Sequence, residues 1–113
     1  MANRRRGEVD AVVEGRSYRL CLTLGSLAEL EDAFGVEDLG ALAGRFAGGR
    51  LSARDLVRLF GAGVRGAGLP VTDAEIGALP VADALAEVAA AVSALLDVTF
   101  GDASAHPPAP QPA

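Results

Sequence analysis

Residues 8–24, EVDAVVEGRSYRLCLTL, alternate polar and apolar side chains, and this period of two constrains the possible folds more than any other feature of the chain. The alternation breaks at Glu14-Gly15-Arg16-Ser17, which reads as the turn of a β-hairpin. With Gly15 and Arg16 as the two central residues, Gly15 supplies the positive φ that a type II′ turn needs at its first central position. That register pairs Val13 with Tyr18, Ala11 with Leu20 and Val9 with Leu22, so these apolar side chains all fall on one face. A slip of one residue would send one strand's apolar set to the opposite face, so burial enforces the choice. The other face carries Asp10, Val12, Arg19 and Cys21.

A lone two-stranded hairpin is marginal in water, so its apolar face requires a second layer. The rest of the sequence supplies helices for it. Ser26 and Glu29 have the spacing of a capping box, Leu27, Leu30 and Phe34 recur at helical spacing, and Gly35 suits a C-terminal stop. Residues 38–47 form a second helical segment, with Leu39, Leu42 and Phe46 on one face and Gly48-Gly49 ending it. Ser52 caps a third, whose stripe of Leu56, Leu59, Phe60 and Val64 lies opposite Arg50, Arg54 and Arg58. Gly61, Gly63, Gly66 and Gly68 predict a loosely defined end to it. Thr72 and Glu75 open a short turn running through Leu79, and Pro80 fits the first position of a final helix. In that helix Val81, Leu85, Val88, Val92 and Leu95 make a heptad-like seam, too short for a sustained coiled coil and read as core packing. Asp83, Glu87 and Asp97 argue against a membrane span.

The expected fold class is α+β and mostly helical, an N-terminal β-hairpin packed on a small bundle of four to five helices. Residues 1–7 are expected to be a flexible N-terminus and residues 8–100 a single domain. Residues 101–113 hold four of the six prolines and little to bury, so a disordered tail is expected there.

Catalytic chemistry finds few of the residues it needs. The one histidine, His106, falls in the Pro-rich tail, so no Ser-His-Asp or Cys-His constellation can be assembled on an ordered frame. Cys21 stands alone, with no CxxC spacing or nearby histidine to activate it, and fits a reducing compartment. The Gly-rich stretch 61–68 lacks the Gly-Lys-Ser/Thr of a P-loop. Glu29, Glu31, Asp32, Glu37 and Asp38 spread around a helix start and a loop, as a solvated face does. No catalytic, cofactor or metal residue is therefore assigned, and no small-molecule substrate is expected. The net charge of −5 opposes broad attraction to nucleic acid or anionic lipid. A helix-turn-helix built from residues 38–47 and 52–65 is the DNA-binding alternative, with Arg50, Arg54 and Arg58 on phosphates; that helix lacks Lys, Asn or Gln to read base edges.

The run Gly15-Arg16-Ser17-Tyr18-Arg19-Leu20-Cys21-Leu22-Thr23-Leu24-Gly25-Ser26-Leu27-Ala28-Glu29-Leu30-Glu31 resembles the signature of a small family encoded in gene transfer agents and related prophages. Gly49-Arg50-Leu51-Ser52-Ala53-Arg54-Asp55-Leu56 resembles its second signature. Members carry two labels, tail tube protein and tail assembly chaperone. One hairpin among helices suits the chaperone label better, because a tube subunit of the phage type is a β-sandwich. The resemblance implies a non-enzymatic protein that binds the tape measure protein, and in some form tail tube subunits, in the cytoplasm of the producing cell, and is then absent from the finished particle. An apolar groove between helices would take amphipathic segments of that partner, with Leu56, Leu59, Phe60 and Phe100 as partner-binding residues. The open hairpin edge suggests self-association into a homo-oligomer.

Overall fold

The computed structural model describes residues 3–47 and 50–101. The Gly48-Gly49 stop, His106 and the Pro-rich tail beyond Gly101 lie outside the described residues, as do the side chains of Arg4, Val81 and Asp83. Strands β1 (Glu8–Val13) and β2 (Arg16–Cys21) form an antiparallel hairpin, followed by α1 (Leu24–Phe34), α2 (Leu39–Phe46), α3 (Ala53–Gly66), α4 (Asp73–Gly77) and α5 (Val81–Leu96). The architecture is α+β and mostly helical, as the sequence patterning requires. Within the segment expected to be flexible, Arg4–Arg6 form a 3-10 turn, held to β1 by the Glu8 amide donating to the Asn3 carbonyl at 3.0 Å.

The hairpin turns one step earlier than the sequence suggests. Val13 pairs with Arg16, Ala11 with Tyr18 and Val9 with Leu20, a displacement of two residues from the expected register. Two residues preserve the parity of a strand, so the apolar face survives the shift. Val9, Val13, Tyr18 and Leu20 are buried, while Val12 on the outer face is 55% exposed. The central residues are Glu14 and Gly15, at φ 52° and 77°, the two positive values of a type I′ turn rather than type II′. This register sets Asp10 directly across from Arg19, with 3.3 Å between carboxylate and guanidinium, and stacks Arg16 5.2 Å from the Tyr18 ring. The Glu14 amide also donates to Glu87 Oε1 of α5 at 3.0 Å, tying the turn to the helix layer. A left-handed conformation costs a non-glycine residue about 1 kcal/mol. Glu14→Gly, which removes that strain and keeps the amide, should raise the unfolding free energy by a few tenths of a kcal/mol, about 0.5, in urea melts.

The hairpin's inner face lies across two helices, β2 over α3 and β1 over α5, while α1 and α4 pack on α3 and α2 packs on α1. Helix α3 is thus the centre of the molecule. Every residue from Leu59 through Val64 is buried, Phe60 meets Tyr18 edge to face at 5.3 Å, and α1 and α2 are joined by the edge-to-face pair Phe34–Phe46 at 5.2 Å. The C-terminal half of α3 is thereby committed to the core, while at its start Arg54 is exposed and Arg58 half-buried.

Local signals set most helix ends. Helix α1 begins at Thr23, whose hydroxyl accepts from the Ser26 amide at 3.0 Å. Ser26 is therefore the third residue of the helix and not its cap. Its hydroxyl is buried against Thr23 Oγ1 (2.9 Å) and the Ala62 carbonyl (3.5 Å). Glu29, expected to close a capping box with Ser26, instead pairs with Arg65. Gly35, at φ 68°, ends α1 in a Schellman motif, with the Val36 amide on the Glu31 carbonyl at 3.0 Å. Asp38 caps α2, and the boxes Ser52/Asp55 and Thr72/Glu75 cap α3 and α4. Pro80 stands one position earlier than expected, as the N-cap of α5.

Arg65 fastens three segments at once. It pairs with Glu29 of α1 and with Asp73 of α4 (2.9 Å), and donates to the Val71 carbonyl at 3.1 Å. Desolvation opposes its charge most strongly of any single influence, but hydrogen bonds to Asp73 and Glu29 and their negative charges outweigh it, so its pKa is raised.

The seam of α5 is only partly the expected one. Val88, Val92 and Leu95 are buried as read, but Leu85 is 48% exposed and Ala84 and Ala91 complete the stripe. By length and composition 18 residues, Ala84–Gly101, are apolar enough to cross a membrane (mean hydropathy 1.6). In the fold 28% of that stretch is buried, along the face that packs against β1 and α3.

Candidate partner-binding site

Helix α2 turns Leu42 and Phe46 to the core and carries Ala43 and Gly44, with Ala47 just past its end, beside the end of α5. Side chains this small cannot fill the gap between the two helices. An open, mainly apolar groove of about 560 Å³ results. Phe46 and Leu51 line one side and Leu96 and Phe100 the other, with Ser93 and Asp97 supplying polar atoms.

The chain widens just where the groove needs it. After Leu96 the backbone passes into a π-helical turn, Asp97–Gly101, and Thr99 Oγ1 donates to the Leu95 carbonyl at 2.7 Å, satisfying an acceptor of the distorted turn. Phe100 is half-buried, packed against the core at the groove's edge.

The residues singled out from sequence for partner binding separate into three environments. Phe100 lines the groove. Leu56 is buried and floors a second, smaller recess of about 120 Å³ between α3, α4 and α5, with Val57, Ile76, Leu79 and Leu85. Leu59 and Phe60 are completely enclosed in the core and present no surface. Sequence reasoning missed Phe46, Leu51 and Leu96. The available signal was the cluster of alanine and glycine in residues 40–47, too small in side-chain volume to close a helix against a neighbour.

Among the described residues no group of three or more His, Cys, Asp or Glu side chains is placed to hold a metal. Cys21 is half-buried and its thiol donates to the Arg6 carbonyl at 3.6 Å.

Residues 6–102 match the family model described as phage tail tube protein, GTA-gp10, and the chain belongs to that family, a component class of gene transfer agent tails that is structural rather than catalytic. Comparison with curated proteins and with solved structures gives no match.

Proposed function

We propose that the chain is a tail assembly chaperone, which binds amphipathic segments of the tape measure protein before tube subunits polymerise around it. The observation that carries this reading is the groove lined by Phe46, Leu51, Leu96 and Phe100, open to solvent at the edge of the core. An amphipathic helix laid in such a groove gains affinity by burying its apolar face. The work is non-enzymatic and takes place in the cytoplasm of the producing bacterium.

Co-expression with the tape measure protein is expected to raise the soluble yield of the latter. Leu51→Glu sets a carboxylate on the groove wall, at a residue only partly buried against the core, and should weaken capture of the tape measure protein at least about tenfold while lowering the melting temperature far less than a change at a fully buried residue. Unchanged capture by a folded Leu51→Glu protein would remove the groove from the reading.

The family's own description favours a second reading, a structural component of the tail tube. Against it stands the sheet, which among the described residues has only β1 and β2, whereas phage-type tube rings are built from β-sandwich subunits. Mass spectrometry of purified particles separates the two. A tube subunit is present at the stoichiometry of the rings, and a chaperone is depleted or absent. Self-association along the hairpin edges belongs to the chaperone reading, and sedimentation giving the monomer mass throughout the micromolar range would count against it.

A further inference from the structure

The chain segregates its charge. Residues 39–71 contain five of the ten arginines and only one acid, Asp55, in a protein of net charge −5. Two of those arginines are already committed, Arg65 to Glu29 and Asp73, and Arg45 to the buried Asp55 at 3.1 Å. Arg54 and Arg58 have no ion-pair partner among the described residues.

Both lie on a recess of about 520 Å³ beside the start of α3, which shares none of the apolar groove's lining residues. Phe34 organises this recess. The guanidinium of Arg45 is 5.3 Å and that of Arg58 5.9 Å from the centre of its ring, and Arg45 is also 5.5 Å from the ring of Phe46. Stacking on an aromatic face restrains an arginine while leaving its in-plane N–H groups available, the arrangement suited to a planar, two-oxygen acceptor. Asp55 does not compete for them, since its two oxygens accept from Arg45 and from the Ser52 amide (2.9 Å).

We infer that this recess, with Arg54 and Arg58 as its donors and Phe34 as its platform, is a second docking site, for a carboxylate-rich segment of a partner polypeptide. Charge complementarity commits the occupant. A guanidinium pair in an otherwise acidic molecule attracts a short acidic peptide locally, whereas a long polyanion such as nucleic acid also meets the repulsion of the remaining surface. The inference is independent of the apolar groove and of which tail component fills it.

The test is fluorescence anisotropy on the full chain at low salt, with a labelled peptide of alternating glutamate and alanine, its glutamine counterpart, and a single-stranded oligonucleotide of similar length as probes. The glutamate peptide is expected to bind, the glutamine peptide not to bind, and Arg54→Ala with Arg58→Ala to weaken the glutamate peptide about tenfold. Arg5→Ala with Arg6→Ala removes the same charge from elsewhere and should leave binding within about twofold. Arg58→Lys retains the charge and the fold and should still weaken binding, because an ammonium lacks the two-pronged geometry. Equal weakening by the Arg5/Arg6 pair, tighter binding of the oligonucleotide, or no binding of the glutamate peptide by a folded protein would each overturn the inference.

Discussion

Phe60→Ala is expected to lower the unfolding free energy by about 3–5 kcal/mol, the usual range for removing a fully buried phenylalanine. Phe60 is completely enclosed in the central helix, and its ring meets the edge of Tyr18, through which α3 holds the hairpin. Truncation leaves a cavity at the junction of the two layers and loses an aromatic pair worth about 0.5–1.5 kcal/mol beyond its area. A domain of this size has a total stability of only about 5–10 kcal/mol, so the variant should melt many degrees lower by circular dichroism and lose partner binding only because it unfolds. Normal stability with binding selectively lost would mean that Phe60 reaches the partner, contrary to its burial. Phe100→Ala is the contrasting change, made at the groove, where affinity should fall more than stability.

Gly66→Ala should be nearly as damaging, by about 3 kcal/mol, although it adds a single methyl group. A Cβ at this position would run into the Cys21 carbonyl oxygen at the end of β2 and stand 2.7 Å from Ser26 Oγ. The first of these is backbone and cannot rotate away. Either α3 separates from the hairpin or the strand end distorts. Gly44→Ala is the control: no atom lies within 4 Å of its Cβ, so relief of glycine's backbone entropy inside α2 should stabilise the protein by about 0.5–1 kcal/mol. Opposite signs for the same chemical change in two helices would show that close approach, rather than helix propensity, holds glycine at Gly66.

The glycines 61, 63 and 66 show why a local reading of this region misleads. Glycine lowers helix propensity, so their density suggests a loose helix end, yet α3 runs through to Gly66 and Gly61 and Gly63 are buried. Tertiary packing overrides propensity here. A side chain at Gly63 would meet Leu95 Cδ2 at 2.7 Å and Leu20 at 3.1 Å, so its absence is what lets the strand and α5 close on α3. The same limit explains the groove. Phe46 could be read as apolar from sequence, but the space beside it depends on how far α2 stands from α5, two elements remote along the chain.

By itself the sequence determined which stretches are strand and which helix, the parity of the hairpin faces, and the caps at Ser52, Thr72 and Gly35, because each depends on side-chain periodicity or on hydrogen bonds spanning a few residues. Only the tertiary structure decided the hairpin register, where Asp10 meets Arg19 and the Glu14 amide meets Glu87, and the roles of Phe60 in the core and Phe100 at the groove. Those outcomes follow from contacts between segments far apart in the chain, whose geometry no local pattern of residues encodes.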